Sequence, residues 1–216
     1  MNSNSEYLEE FRFRRVIDAL GGKIAINSQT VWLDLGCHQG QFLRMLLSRF
    51  GLRGVGSDAW EPHLKGSADS GWTYYQADFE KFLPPCGPVD VVSALEVLEH
   101  MIDTDLFLKR IHAILRPNGL VLISTPNINS FRNRMTVPLG IYPTGLEYRN
   151  LIHHVRLYNA KVLRQQLFES GFCDVEIRGV AFLPLSSRFG VGRTSQFLAD
   201  NFPSFCTDLL AVARKA

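Results

Sequence analysis

The segment Val31-Trp-Leu-Asp34-Leu-Gly36-Cys37-His38-Gln39-Gly40-Gln-Phe42-Leu43 constrains the fold more than any other. An apolar run of strand length enters a turn bounded by two glycines, and a helix-period stretch from Gln39 to Phe50 follows at once. A strand that feeds a helix this directly opens a βαβ unit.

The same alternation continues along the chain. Gly54 to Ser57, Trp72 to Gln76, Val89 to Ala94 and Leu120 to Ser124 read as strands, with helices expected at about Glu61 to Ala68 and at Asp105 to Leu115. A helix from about Ala160 to Ser170 stops at Gly171, and Phe172 to Val180 and Thr207 to Ala213 add two more strands. The order predicts an α/β fold, a doubly wound seven-stranded sheet with helices on both faces. At 216 residues one domain is expected over 1–216. Within it, residues 1–25 carry an amphipathic helix, about Ser5 to Leu20, placed to cover one edge of a pocket. Residues 127–158 form a connection too long for an ordinary loop and are expected to act as a lid after the fifth strand.

With 46% hydrophobic and 20% charged residues the chain can bury a real core. A formal charge of +2 does not mark a nucleic-acid binder, so a nucleic-acid partner is not expected. The total hides an asymmetry: Asn127 to Gln165 holds Arg132, Arg134, Arg149, Arg156, Lys161 and Arg164 against Glu147, a local excess of +5 beside −3 for the rest. Cys37, Cys86, Cys173 and Cys206 form no C-x-x-C pair and read as free thiols of a reducing compartment. The polar, acidic start MNSNSEYLEE is unlike a secretory signal, and no run is long enough to span a membrane. A cytoplasmic protein is expected, its oligomeric state left open.

In doubly wound sheets ligands bind beyond the carboxyl ends of the strands, where the turn after Leu35 must lie. Gly36 and Gly40 let the backbone bend and approach a ligand, and the helix behind them presents free N–H groups. A dinucleotide fingerprint needs a small middle glycine for the diphosphate, but His38 stands there. Asp34 repels phosphate and attracts an ammonium group. The ligand is therefore expected to be cationic and nucleoside-like, which disfavours a nicotinamide dehydrogenase.

At this point the motif Asp34-Leu-Gly36-Cys37-x-x-Gly40 after an apolar strand resembles the first motif of class I S-adenosylmethionine-dependent methyltransferases, in particular the ubiquinone-biosynthesis O-methyltransferase group. Gly54-Val-Gly-Ser-Asp58 resembles their second strand with its terminal acid, and Tyr75-Gln-Ala-Asp78-Phe79 the loop after the third. Val89 to His100 resembles strand four and its sequel, and Leu115 to Asn127 the turn and fifth strand. The resemblance implies a Rossmann-like sheet, mostly parallel, with the last strand antiparallel. It implies S-adenosylmethionine held by Asp34, Gly36, Cys37, His38, Gly40, Asp58, Ala59, Asp78, Phe79 and Leu95. Asp58 would take the ribose hydroxyls, Asp78 the adenine amino group, and Phe79 the ring. His38 departs from the family, which often has a small or acidic residue there.

Glu96-x-x-Glu99-His100 is a second constellation. On a helix these positions share one face and would aim two carboxylates and an imidazole at one point. The spacing is similar to the metal-binding E-x-x-E-H of the ubiquinone-type and small-RNA 3′-end methyltransferases, so Glu96, Glu99 and His100 can ligate a divalent ion. A metal-free role beside the substrate is favoured over ligation. His153-His154-Val-Arg156-Leu-Tyr158 resembles the segment leading into the last helix of the ubiquinone-type group, where a histidine can serve as general base. Glu96, Glu99, His100 and His154 are the catalytic candidates.

The expected activity is methyl transfer from S-adenosylmethionine to an oxygen or nitrogen of a small, anionic acceptor. The alternatives are a cofactor-binding regulatory or assembly protein without turnover, and a metal-dependent RNA-end methyltransferase.

Overall fold

The computed structural model describes residues 3–60, 71–143, 153–182 and 193–216. The expected helix at Glu61 to Ala68 and the middle of the expected lid, 144–152, lie outside the described residues. Seven strands form one sheet in the order β3-β2-β1-β4-β5-β7-β6. They are β1 Val31–Leu35, β2 Arg53–Asp58, β3 Thr73–Gln76, β4 Val89–Leu95, β5 Leu115–Pro126, β6 Phe172–Gly179 and β7 Asp208–Lys215. The first five are mutually parallel, while β7 runs antiparallel between β5 and β6. The doubly wound sheet with an antiparallel last strand is as expected. Among the described residues no helix is long and apolar enough to cross a membrane.

Strand alternation divides the core into two layers. On β1, Leu33 and Leu35 face one side and Trp32 the other. On β5, Val121 and Ile123 likewise oppose Leu120 and Leu122. The first layer is covered by the helices α3, Thr104–Ile114, and α5, Ala160–Glu169. Helix α3 starts where the Asp103 side chain accepts the Leu106 N–H, and it buries Thr104, Phe107, Leu108 and Ile111 at helical spacing. The second layer is covered by α1, Ser3–Leu20, and α2, Gln41–Phe50.

Helix α1 is fastened far along the chain. The buried Arg15 guanidinium donates to Gly179 O at 2.9 Å and pairs with Asp200 of helix α6, Arg193–Asn201. The short helix α4, Phe131–Thr136, which precedes α5 in the chain, occupies the first part of the expected lid.

Because β1 to β5 are parallel, the ends of β1, β2, β4 and β5 open on one edge of the sheet. The antiparallel β7 brings its first residue there too, with Asp208 opposite Pro126. The strand order reverses between β1 and β4, which opens a crevice at that point.

Candidate active site

The turn after β1 is built tightly. Gly36 and Cys37 donate their N–H groups to Ser57 O at 2.8 and 3.0 Å, which ties the turn to β2. At Gly36, φ is +71° and a Cβ would stand 2.5 Å from Val97. At Gly40, φ is +75° and a Cβ would stand 2.4 Å from the Trp72 ring. Both positions require glycine. His38 takes a left-handed backbone, φ +49°, without that freedom. Its N–H donates to Asp58 Oδ2 at 3.0 Å, while Asp58 Oδ1 accepts the Trp60 N–H at 2.9 Å. Asp58 at the end of β2, expected to take ribose hydroxyls, thus accepts backbone N–H groups from the two turns beside it.

Behind this turn lies a cavity of about 240 Å³, lined by Arg12, Phe13, Asp34, Gly36, Cys37, His38, Gln41, Phe42, Leu95 and Glu96. Asp34 is buried, and its Oδ1 accepts the Ser93 hydroxyl at 2.5 Å, while Ser93 Oγ accepts Trp32 Nε1–H at 2.8 Å. Burial pushes the Asp34 carboxyl up to about 7, opposed by the Ser93 bond and assisted by the Asp58 charge. Burial and the charges of Asp34 and Asp58 push the Cys37 thiol up as well, so it is a packed neutral group and not a nucleophile.

Glu96 follows β4 in the left-handed region, φ +58°. Its N–H donates to Ser124 O and Oγ, and the Ser124 hydroxyl donates to Glu96 Oε1 at 2.7 Å. Arg12 approaches Glu96 at 3.6 Å and Asp208 at 3.5 Å. Burial and the Glu96 charge raise the Asp208 carboxyl, with Arg12 opposing. A cation on α1 is thereby clamped between two carboxylates at the mouth of the crevice.

The structure corrects the expectation of one helix face for Glu96, Glu99 and His100. Only a single 3₁₀ turn, Leu98–His100, forms, and α3 begins four residues later. Val97 and Leu98 are buried and Ser124 captures the Glu96 N–H, so the backbone reverses at Glu96. Glu96 then faces the cavity and Arg12, while Glu99 and His100 meet His154. One ligand atom from each of Glu99, His100 and His154 lies within 4.8 Å of the others.

Glu99 is 1% exposed, and neither carboxylate oxygen has a hydrogen-bond partner among the described residues. Burial, with the Glu96 charge, pushes its carboxyl well up. The Glu99 carbonyl accepts the Val155 and Arg156 N–H groups, and His100 Nδ1 lies 2.8 Å from His153 O. These bonds seat the 153–156 segment on the 3₁₀ turn, with the His100 and His154 rings edge to face at 4.8 Å. With Nδ1 donating to that carbonyl, His100 Nε2 is the atom left for chemistry.

Phe79 is 5% exposed and packs on Phe107 in the core. Asp78 is exposed, pairs with Lys81 at 3.0 Å and accepts the Glu80 N–H. Ala59 is exposed and its carbonyl accepts from Gln76, and Leu95 closes a cavity wall. Arg12, Phe13, Gln41, Ser124 and Asp208 escaped the sequence reading. The amphipathic pattern of α1 announces a covering helix but not which arginine of Arg12, Arg14 and Arg15 turns inward.

A family model for the methyltransferase domain matches residues 6–177. The chain belongs to the methyltransferase domain family. It is 32% identical over 168 residues to a ubiquinone biosynthesis O-methyltransferase of Bradyrhizobium diazoefficiens, covering 73% of this chain and 64% of that relative. It thus spans a little under two thirds of the relative's length. An S-adenosylmethionine-dependent methyltransferase from Mesorhizobium loti shares the fold with a TM-score of 0.62 at 20% identity, over 92% of this chain and 96% of that one. A phosphoethanolamine N-methyltransferase 2 of Haemonchus contortus, solved with phosphomonomethylethanolamine and S-adenosylhomocysteine, does so at 0.66 and 18%, over 94% of this chain and 52% of that one.

Proposed function

We propose that this protein is an S-adenosylmethionine-dependent methyltransferase acting on an oxygen or nitrogen of a small anionic acceptor. The observation that carries the reading is the crevice where β1 and β4 part, whose cavity is lined by Arg12, Asp34, Gly36, His38 and Glu96, with Asp58 beside it accepting the His38 N–H, in a chain of this family. Each charged part of the donor finds its complement there. Asp34 takes the ammonium group, Arg12 the carboxylate and Asp58 the ribose hydroxyls. The Bradyrhizobium diazoefficiens relative is named an O-methyltransferase, and the Haemonchus contortus enzyme holds the demethylated donor.

In the transfer, a lone pair of the acceptor oxygen or nitrogen forms the new bond to the methyl carbon as the carbon–sulfur bond breaks. The sulfonium becomes a neutral thioether. The acceptor's proton passes to a base, for which His154 stands beside Glu99 and His100. The chain's main task is to hold donor and acceptor in line at close approach.

Glu99, His100 Nε2 and His154 also form a donor set that fits a divalent ion, since the buried Glu99 oxygens lack partners. Such an ion would supply positive charge that acidifies an acceptor hydroxyl. The metal-free base role remains the favoured one. Four unpaired cysteines fit a cytoplasmic location.

The basic excess of 127–165 is partly committed to the fold. Arg134, Arg156 and Arg164 donate to backbone carbonyls, and Arg132 is exposed. Their charge still biases the acceptor side toward anions.

Calorimetry with S-adenosylmethionine and NADH, followed by a screen for S-adenosylhomocysteine release against acceptor pools, tests the reading. Binding of the methyl donor with release driven by one acceptor class is expected. Binding of NADH alone overturns it, and donor binding with no turnover on any acceptor supports the regulatory alternative.

A further inference from the structure

Asp208 opens β7 with a carboxylate that methyl transfer does not use, on a side chain only 21% exposed. Its backbone is fixed from both neighbouring strands. The Asn127 N–H, just past β5, donates to Thr207 O at 2.8 Å, and the Val180 N–H, just past β6, donates to Asp208 O at 3.0 Å. Strand alternation then sets the direction of the side chain. Leu209 and Ala211 lie in the first core layer and Leu210 and Val212 in the second, so Asp208 points to the second, the side that α1 covers. Ser124, opposite Leu210, points the same way and donates to Glu96 Oε1 at 2.7 Å.

Arg12 meets both carboxylates with one corner of its guanidinium. Its Nη2 lies 3.6 Å from Glu96 Oε2 and 3.5 Å from Asp208 Oδ2, distances at which the charges attract but good hydrogen bonds are not made. Its Nε–H is buried and has no hydrogen-bond partner among the described residues. The neighbouring Phe13 ring stacks on Phe42 at 4.9 Å, which fixes the face that α1 turns to the cavity. A buried donor left unpaired at a cavity wall costs free energy until an acceptor fills it. A ligand carboxylate is the acceptor whose shape matches a guanidinium edge.

We propose that Asp208 is a positioning residue for donor binding, which with Glu96 holds the Nη2 corner of Arg12 so that the Nε–H edge stands ready for the donor carboxylate. The proposal rests on the donor reading given above. Its physical basis is entropic. An arginine side chain has much rotamer freedom to lose when a ligand fixes it, and charges that fix it beforehand take that loss out of binding. Glu96 alone restrains the guanidinium from one direction only. Asp208, anchored through β5 and β6, supplies the second. Because both pairs are long, the donor takes up the guanidinium without breaking a strong hydrogen bond.

Calorimetry on the full chain at about pH 8, where the Asp208 carboxyl, raised to about 7, is ionised, separates this role from a structural one. The probes are S-adenosylmethionine and 5′-methylthioadenosine, which keeps the adenosine and the thioether but has no amino-acid end. Asp208→Asn should bind S-adenosylmethionine about fivefold to tenfold less tightly, and 5′-methylthioadenosine as tightly as the native chain does. In the Arg12→Met background the same substitution should cost no further affinity, because the group it positions is gone. Asp208→Ser carries both comparisons if the asparagine variant does not fold. Equal loss on both ligands makes Asp208 a structural residue and overturns the proposal. So does tighter donor binding by Asp208→Asn, since Asp208 would then compete for Arg12, and so does a full additional loss in the Arg12→Met background. A native chain that binds neither ligand removes the donor reading itself and this proposal with it, a failure visible before any variant is made.

Discussion

Asp34 concentrates the electrostatics of the crevice in one side chain. In the folded, ligand-free chain its carboxyl titrates near 7, against about 3.9 for an unfolded aspartate. Between those values the folded state binds more protons, so stability contributed by this group is full below the lower value and falls as pH rises toward 7. The ligand-free chain should therefore lose up to about 1 kcal/mol per pH unit through that window, and Asp34→Asn should flatten the slope in thermal melts at stepped pH. A cationic donor has the opposite preference, because it favours the ionised carboxylate. Its affinity should tighten as pH rises from about 6 to about 8, and a pH-independent dissociation constant would remove Asp34 from the donor site. Asp58→Ala should weaken donor binding by about 1.5 to 3 kcal/mol, read by calorimetry, since it deletes charged hydrogen bonds.

At the scale of elements, α1 acts as a strap across the second core layer. Two arginines one helical turn apart fasten it, Arg12 to Glu96 and Asp208, Arg15 to Gly179 O and Asp200. Arg15→Met keeps the buried stem but removes both bonds, and should cost about 1 to 3 kcal/mol in denaturant unfolding, the half-exposed Asp200 moderating the loss. Arg12→Met should act differently. It leaves two carboxylates without their cation, and it should weaken donor affinity tenfold or so as the carboxylate contact goes. If both variants changed stability alone and left donor affinity intact, Arg12 would be a strap residue and nothing more.

Across the whole molecule the site has two parts held by different connections. Groups lining the proposed donor cavity come from the ends of β1 and β4 with α1 and α2, whereas Glu99, His100 and His154 join the 3₁₀ turn to the segment before α5. None of the latter three lines the donor cavity. Dialysis against a chelator should accordingly leave donor affinity unchanged, and any metal requirement should appear in turnover alone. A donor dissociation constant that shifts on chelation would show that the two parts are one site.

Local pattern was sufficient wherever a short segment decides its own conformation. Val31–Leu35 is an apolar run ended by Gly36, and both its bounds and its turn are as the residues imply. Helix α3 likewise follows from its apolar spacing and the Asp103 cap. Features set by distant partners were not legible. Glu96 faces the cavity and Arg12 because Ser124, twenty-eight positions on, captures its N–H. Phe79 lies in the core because Phe107 packs on it, and Arg12 enters the crevice because Asp208, at the far end of the chain, draws it there. Periodicity and turn chemistry are nearest-neighbour properties, while the direction of a charged or aromatic side chain is settled by whichever burial and pairing the closed sheet makes available.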